Sequence, residues 1–495
     1  MAGLGKSFVA SKLVNLTKYS HMILFGIIVV SINIYFLNSY STIEKTRTVN
    51  DEQIAKHIGP RIRHLVTNSF NRIKKPATLA NPPKVTSLLS SEARKLPLVN
   101  SSCTRRVQVT QDGVVVFRSI LIKPKFGHAR VLEAHLEFPS EEDEFFVLDK
   151  GFFTLYCRGN IVEIERQLLF ADKDNTLMKW KAAMDVASPS QYLQIGGRQS
   201  FKDGHYFAIQ RIEFANVYWT IIDLLDIFIS SQSLGIQPEN LNIILIDAHP
   251  KSSLDPFWTV LFQRLIKLND KHFFTNSNGV VFENLIWRYP REKCPLLDIN
   301  LKSSRHVQPF RSFVLGQFGI STRRHLRNCS QKKLNVLIIL RRDYKSHPRN
   351  LAGVIDRKIA NEAEVLREIK TSLIHANITA AQIDLWPLKA QLETIANTDI
   401  LFGMHGAAHA FSIFMEPGGA VVEMFNDDLQ SANWHMRKIA TLSDHSYINW
   451  ANSNRRAVNK VTKSTKIPKG VSSSLLEKAV ESICSERSKF PTLRS

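Results

Sequence analysis

The sequence is poor in cysteine, and no two cysteines are spaced closely enough for a zinc ribbon or zinc finger. Because their number is odd, an oxidising compartment would allow two disulfides and one free thiol, with a pairing that the sequence does not reveal. The five cysteines of the 495-residue chain are Cys103, Cys157, Cys294, Cys329 and Cys484.

Acidic residues are also scarce. The chain has 44 Asp and Glu against 65 Lys and Arg, which gives a formal net charge of +21. This excess favours anionic partners such as phosphates, acidic glycans, membrane surfaces or nucleic acid, and a merely soluble basic surface is equally compatible with it. Apolar residues make up 44% and charged residues 22%, so the composition is that of a globular protein and excludes wholesale disorder.

Long hydrophobic runs are absent except for one near the N-terminus. Met22–Leu37 carries no charge, and with its flanks the run covers residues 22–40, long enough to span a thin bilayer. Lysines precede it, so we expect a cytosolic tail over 1–21, a signal anchor over 22–40 and a luminal remainder that begins with a stem over 41–105. A cleaved signal peptide and a buried helix are the alternatives.

This arrangement predicts a single-pass type II protein of the endoplasmic reticulum or Golgi membrane. A luminal chain meets no nucleic acid, so nucleic acid is not an expected partner. Three glycosylation sequons lie on the predicted luminal side, although such triplets also arise by chance. They begin at Asn100, Asn328 and Asn377.

The luminal part predicts an α/β protein with two Rossmann-like lobes. Residues 106–325 mix strand-like and helical segments, and residues 326–450 alternate strands with helices, as in a parallel sheet covered on both faces. Residues 451–495 add a basic loop and a last helix. The predicted strands include Val114–Ile122, Val131–Phe138, Ala381–Leu385, Asp399–Phe402 and Ala420–Met424. The predicted helices include Asn216–Leu234, His249–Lys267, Asn361–Ala376 and Leu475–Cys484.

The most informative segment runs from the strand Asp399–Phe402 through a glycine-rich turn into a helix. In an open parallel sheet, ligands bind at the carboxyl ends of the strands, where a helix N-terminus offers free N–H groups to a diphosphate. Glycines allow close backbone approach, and His405 could donate a hydrogen bond to a phosphate or leaving-group oxygen. The residues that we expect around the diphosphate are Gly403, Met404, His405, Gly406, Ala407 and Ala408.

Further candidates follow neighbouring strands. Glu423 ends the next strand, where a carboxylate can accept both hydroxyls of a ribose. Arg341 and Arg342 stand at the end of the strand Asn335–Leu340, where arginine can clamp phosphate in a bidentate way. Arg357 and Asn361 follow in a segment that leads from a loop into a helix.

The string DRKIANEAEV after the two arginines, together with NTDILFGMHGAAHAFSIFMEPGGAVVEMF, resembles glycosyltransferase family 61, over roughly residues 200–450. The resemblance implies a GT-B fold, an inverting mechanism and a UDP-sugar donor, with UDP-N-acetylglucosamine and UDP-xylose both compatible. It places His405 and its loop on the diphosphate and Arg341 on phosphate. It places Glu423 on the ribose or on the loop itself.

The resemblance also makes Asp223 the candidate for acceptor contact or for the general base, with Asp247, His249 and Asp255 as competitors. This sequence departs from the family at Ala408, where a glycine is usual, and at Trp219, where a histidine is usual. GT-B enzymes typically work without a bound metal, so we expect no essential metal and no tightly bound cofactor.

The predicted function is therefore transfer of a sugar from a UDP-sugar to a glycan or glycoprotein acceptor in the secretory pathway. A degenerate member of the family that binds glycan or protein without catalysis is the alternative, and the altered stretch from Ala408 to Phe411 motivates it.

Overall fold

The computed structural model describes residues 101–129, 145–188, 200–270, 272–274, 279–321, 334–345, 350, 352–426, 433–454 and 457–489. All of them belong to one compact unit, Val85–Ser495. The predicted anchor over 22–40, the stem up to residue 100 and the predicted strand Val131–Phe138 lie outside the described residues. Within the described ranges, no helix combines the length and the apolar character that a bilayer crossing needs.

Strands and helices alternate along most of the described chain. The strands are β1 (Val107–Val109), β2 (Val115–Ile122), β3 (Gly127–Ala129), β4 (Phe146–Leu148), β5 (Phe153–Tyr156), β6 (Met184–Ala187), β7 (Ser200–Ile209), β8 (Asn242–Leu245), β9 (Arg264–Lys267), β10 (Val280–Trp287), β11 (Asn335–Ile339), β12 (Lys358–Ile359), β13 (Asn377–Ala381), β14 (Ile400–Met404), β15 (Ala420–Phe425), β16 (Ser446–Ala451), β17 (Val458–Asn459) and β18 (Ser464–Thr465). The α-helices are α1 (Ile161–Gln167), α2 (Asn175–Ala182), α3 (Val217–Ser233), α4 (Asp255–Leu261), α5 (Val307–Gln317), α6 (Glu362–Ser372), α7 (Leu388–Ala396), α8 (His435–Leu442) and α9 (Val471–Lys489).

The first sheet has eight strands in the order β6-β5-β2-β10-β7-β8-β9, with β1 beside β2. It is mixed: β10, β7, β8 and β9 run parallel, whereas β2 is antiparallel to β10. The predicted strand Val114–Ile122 and helix Asn216–Leu234 are confirmed as β2 and α3. Helix α3 begins after Asn216 because that side chain accepts the N–H of Tyr218 and caps the first turn.

The predicted helix His249–Lys267 is wrong over most of its length. Helix α4 is short and has Pro256 in its first turn, and the chain then extends into the edge strand β9. The main chain of β9 pairs with β8, and Ile266 is buried in the core. Apolar residues at helical spacing therefore fill two different elements, because pairing along the sheet edge outweighs the local helical pattern.

The second sheet contains five strands, all parallel, in the order β13-β11-β14-β15-β16. This is one of the two common doubly wound orders, in which ligands bind at the carboxyl ends of the strands. The predicted parallel sheet is confirmed, and the predicted strands before and after the glycine-rich turn correspond to β14 and β15. Helix α9 covers β15 and β16 and extends the predicted Leu475–Cys484 in both directions.

One strand of this sheet lies earlier in the chain than predicted. The sequence predicts a strand Ala381–Leu385 after a helix that reaches Ala376, but α6 ends at Ser372 and β13 occupies Asn377–Ala381. The N–H of Asn377 bonds to the carbonyl of Leu334, which starts the ladder there. Ile383–Leu385 is instead a 3₁₀ helix.

The two sheets share one hydrophobic core. Helix α3 packs against the 3₁₀ helix Ala407–Phe414, which follows the glycine-rich turn. Arg311 of α5 donates to the carbonyl of Phe414 and pairs with Glu416. The segment after β14 is therefore fixed from both sheets.

Part of the predicted basic loop is structured. Strands β17 and β18 form a hairpin that pairs with β12, and Lys463 forms an ion pair with Asp356. The side chain of Asn361 exchanges hydrogen bonds with the backbone of Ile467. The hairpin thereby fixes the segment that carries Arg357.

Among the described residues, three cysteines are disulfide-bonded and one is a free thiol. Cys103 and Cys157 form a disulfide, and Cys484 is also disulfide-bonded. Cys294 is a free, buried thiol.

Candidate functional site

The candidate site lies at the carboxyl end of β14. His405 and Gly406 follow this strand directly, and the 3₁₀ helix Ala407–Phe414 starts at the next residue. Gly403, inside β14, lies tightly against the neighbouring strand, because a Cβ there would lie 3.1 Å from the carbonyl oxygen of Ile339 and would require a small shift of that strand. The sequence predicts this strand, turn and helix start, and the structure has them in that order, with a 3₁₀ helix in place of an α-helix.

The flanking residues of the turn serve its packing. Met404 is buried in the core of the second sheet. Ala407 and Ala408 are half-buried against the core that the two sheets share. His409 is fully buried, and burial lowers the pKa of its imidazole, which favours the neutral form.

His405 is joined to Glu423 by a short hydrogen bond of 2.5 Å between Nδ1 and Oε1. The other carboxylate oxygen of Glu423 accepts a 2.5 Å hydrogen bond from the hydroxyl of Tyr447. Burial alone would raise the pKa of Glu423, but the hydrogen bond from His405, the neighbouring histidines and Tyr447 lower it overall. Glu423 is therefore an ionised acceptor, and the Nδ1 of His405 carries the proton.

This geometry bears on the first role considered for Glu423, contact with a ribose. Its side chain is 0% exposed and both of its oxygens are occupied, so it does not stand open to a ribose. The structure places it as the residue that orients His405. The opposite ring nitrogen, Nε2, lies 3.4 Å from the amide nitrogen of Asn433, and the ring stacks on Phe425.

Arg341 lies directly over the turn. A Cβ on Gly406 would lie 2.1 Å from Nη1 of Arg341, so any other residue there would require the guanidinium to shift from its present position. Its Nε donates a 2.9 Å hydrogen bond to the carbonyl of Asp356. Burial and the nearby charge of Arg357 lower the pKa of Arg341 to about 10.

Arg357 is the second guanidinium at this position. Its backbone has a φ of 62°, a left-handed conformation that is costly for a residue with a Cβ. Its Nε is buried without a hydrogen-bond partner among the described residues. In that part of the chain, neither Arg341 nor Arg357 has a carboxylate within ion-pair distance. The charge of Arg357 lowers the pKa of Arg341, and the charges of Asp384 and Asp356 oppose this effect.

Arg342 and Asn361 do not join this group. Arg342 is exposed and pairs with Glu362 at 2.5 Å. Asn361 bonds to Glu364 and to the backbone of Ile467. The structure thus gives Arg342 an ion pair on the surface and Asn361 a structural role, although the sequence grouped both with Arg341.

Asp223 is fully buried in α3 and accepts a 3.1 Å hydrogen bond from Arg291. Burial raises its pKa, and Arg291 opposes the rise. Asp226, one turn further, is also buried, and burial raises its pKa to about 8. No contact in the described residues links Asp223 to His405, so the structure places Asp223 in a buried charge cluster.

Of the competitors of Asp223, Asp247 and His249 are buried, and the side chain of Asp255 is 22% exposed. Asp247 forms a bidentate pair with Arg211, and His249 bonds to the carbonyl of Arg211 and stacks on Phe214. Asp255 lies 3.7 Å from the same guanidinium. These side chains hold together the loops that follow β7 and β8.

Three residues at the site were not predicted from the sequence. Asn433, His435 and Tyr447 come from the segment after β15, in which no motif stands out. Tyr447 could have been found from its position on β16, since its neighbour in register, Val421, lies on the same strand as Glu423.

The structure describes only one of the three predicted glycosylation sites. Asn377 is exposed at the start of β13, with its amide bonded to Asn335, whereas Asn100 and Asn328 lie outside the described residues. No group of three or more His, Cys, Asp or Glu in the described ranges is arranged to hold a metal ion. The absence of an essential metal stays a prediction.

Residues 234–422 match the family described as Glycosyltransferase 61. The chain is similar to "Beta-1,2-xylosyltransferase RCN11" of Oryza sativa subsp. japonica, with 23% identity over 280 residues, which cover 53% of this chain and 52% of the relative. It is also similar to "Beta-1,2-xylosyltransferase" of Arabidopsis thaliana, with 22% identity over 304 residues, which cover 53% and 55%. The chain thus spans about half the length of these curated relatives.

Proposed function

We propose that this chain, which is related to glycosyltransferase family 61 through residues 234–422, is an inverting glycosyltransferase that uses a UDP-sugar. The acceptor is a glycan or glycoprotein. The proposal includes a GT-B arrangement, in which the two sheets belong to lobes that border a cleft. It also includes a type II anchor over 22–40 and a luminal catalytic region in the endoplasmic reticulum or Golgi.

The observation that carries the proposal is the group formed by His405, Glu423, Arg341 and Arg357. Two half-buried guanidinium groups, neither within ion-pair distance of a carboxylate in the described residues, stand at the carboxyl end of a parallel sheet. A diphosphate would accept hydrogen bonds from both and balance their charge. The absence of a side chain at Gly406 lets the guanidinium of Arg341 lie against the turn.

The chemistry requires stabilisation of the departing UDP. When the sugar's anomeric carbon leaves the β-phosphate oxygen, negative charge develops on that oxygen, and preorganised donors stabilise it. The guanidinium groups provide two such donors. His405, held by Glu423, directs Nε2 away from the carboxylate, so an imidazolium at this position would donate to the same oxygen.

Xylose is the first donor sugar to test, because both curated relatives carry xylosyltransferase names. UDP-N-acetylglucosamine remains the second. In this proposal the residues around His405 bind the phosphates, which the two donors share, so they do not discriminate between the two sugars.

The test uses the full-length chain with UDP-xylose and UDP-N-acetylglucosamine against N-glycan-bearing glycoproteins and EGF-like repeats, with mass spectrometry of the acceptors. UDP binding is measured by calorimetry in parallel. His405→Ala should lower turnover by about 10²–10⁴-fold. The matched control is His375→Ala, because His375 is exposed, and it should leave turnover unchanged. Acceptor binding without any UDP affinity would overturn the proposal in favour of a non-catalytic binding module.

Two further measurements address the membrane and the metal. Protease treatment of sealed microsomes should leave the region beyond residue 40 intact if it is luminal. Turnover should persist in EDTA, and its loss with recovery on addition of manganese would overturn the metal-independent mechanism.

A further inference from the structure

His435 is an ionisable residue beside the candidate site that none of the roles above uses. It is the first residue of α8, and its backbone N–H bonds to Oδ1 of Asn433 at 3.1 Å. The amide nitrogen of the same Asn433 lies 3.4 Å from Nε2 of His405. Asn433 therefore bridges the two histidines, on the side of His405 that faces away from Glu423.

The imidazole of His435 is held by packing and left open to hydrogen bonding. Its ring centre lies 5.0 Å from that of Tyr218 on α3 and 4.7 Å from that of Trp434. The side chain is half-buried, and in the described part of the chain no hydrogen bond to either ring nitrogen is recorded. The ring thus has a fixed position between the two sheets while its nitrogens remain available.

The surroundings favour a neutral imidazole. Burial lowers the pKa of His435, the charge of His405 lowers it further, and Glu423 opposes both effects. The aromatic rings of Tyr218 and Trp434 add no charge at neutral pH, and the cationic neighbours on its own helix, Arg437 and Lys438, do not favour protonation. A neutral imidazole is the form that accepts a proton.

The carboxylates considered from the sequence each lie beside an arginine, including Asp255, whose side chain is 22% exposed and lies 3.7 Å from Arg211. Asp223 is 1% exposed and is bonded to Arg291, and Asp247 is 3% exposed and bonded to Arg211. An acceptor hydroxyl must come within hydrogen-bond distance of its base. His435 is half-exposed and lies next to the histidine that we assign to the leaving group.

We propose that His435 is the general base that takes the proton of the acceptor hydroxyl. The inference rests on the proposed function. In the step, a ring nitrogen of His435 accepts the hydroxyl proton as the acceptor oxygen forms a bond to the anomeric carbon. The bond from that carbon to the β-phosphate oxygen breaks, and its electron pair leaves with UDP. His435 and His405 then act on opposite partners of one displacement.

The test compares His435→Phe, which keeps a planar ring between Tyr218 and Trp434, with the wild-type full-length chain. The donor–acceptor pair is the one of the above panel that gives product. We expect UDP affinity within about twofold of wild type by calorimetry and a fall in kcat of about 10²–10⁴-fold. In the wild type, the rate should fall at low pH as His435 becomes protonated, and this limb of the pH–rate profile should be absent from His435→Phe.

A second variant separates chemistry from structure. Added imidazole should restore part of the turnover of His435→Ala, and it should not raise the turnover of His405→Ala above its own baseline. A kcat of His435→Phe within about threefold of wild type, or a parallel loss of UDP affinity, would overturn the role. If His435→Phe does not fold, absence of imidazole rescue in His435→Ala overturns it instead. If the wild-type chain makes no product with any pair, the proposed function fails, and this inference fails with it.

Discussion

Replacement of Gly406 by alanine tests whether Arg341 is held at the site by the space that this glycine leaves. The added methyl carbon would lie 2.1 Å from Nη1 and 3.1 Å from Cζ of Arg341. The guanidinium must therefore move by about 1 Å or more to reach an ordinary contact distance. Its hydrogen bond to the carbonyl of Asp356 would be strained or lost.

The magnitude follows from the interaction that Arg341 is proposed to make. A hydrogen bond to a charged group contributes about 1.5–3 kcal/mol. Its loss corresponds to a rise of about 10- to 150-fold in the Kd for UDP. The free energy of unfolding should fall by about 1 kcal/mol, because one neutral carbonyl loses its donor.

The assay is calorimetric titration of UDP into the full-length Gly406→Ala chain, with thermal unfolding of the same sample. Gly316→Ala is the matched control: Gly316 lies in α5, and a Cβ there meets no atom within 4 Å. Its UDP affinity should be unchanged, with a gain of up to about 1 kcal/mol in stability.

A double mutant makes this prediction sharper. If Gly406→Ala acts through Arg341, then Gly406→Ala combined with Arg341→Ala should bind UDP no more weakly than Arg341→Ala alone. Additive losses, or a Gly406→Ala chain that binds UDP within twofold of wild type, would refute the reasoning.

Three further predictions concern the support of the fold and the site. Burial raises the pKa of Asp226 to about 8, so the wild-type chain should lose stability as pH rises from the ordinary carboxyl range toward about 8. Asp226→Asn should remove this loss, and equal pH slopes of the unfolding free energy for both chains in denaturant melts would contradict the prediction. Tyr447→Phe should move the limb of the pH–rate profile that reports ionisation of Glu423 to higher pH, because Glu423 loses a hydrogen bond that lowers its pKa; an unmoved profile would show that Tyr447 does not act through Glu423. Replacing the cysteines of the Cys103–Cys157 disulfide, whose sequence separation is 54, with serine should cost about 4 kcal/mol in chemical denaturation, and a cost under about 1 kcal/mol would contradict the chain-entropy estimate.

The second sheet could be predicted from the sequence because its strands are short, continuous apolar runs separated by amphipathic helices. The segment His249–Lys267 could not, because apolar residues at helical spacing also suit a short helix followed by an edge strand. The choice is made by pairing with β8, a tertiary contact that the local pattern does not contain.

The residues of the site likewise divide into those that the sequence predicts and those that it does not. The positions of His405, Gly406 and Glu423 were predictable because the turn follows a buried strand and the next strand carries a carboxylate two residues before its end. The sequence grouped Arg342 with Arg341, yet adjacent residues after a strand point in different directions, and Arg342 reaches Glu362 instead. Asn433, His435 and Tyr447 reach the site only through the packing of α8 and β16.

The central claim is that the group around His405 binds a UDP-sugar and activates its sugar for transfer. The most direct test is turnover of UDP-xylose and UDP-N-acetylglucosamine by wild-type and His405→Ala full-length chains, with UDP release and glycosylated acceptor measured in the same reaction. The account predicts stoichiometric UDP and product from the wild type with one of the two donors, and a loss of about 10²–10⁴-fold in His405→Ala. Wild-type turnover by His405→Ala, or a wild-type chain that neither binds UDP nor transfers a sugar, would contradict it.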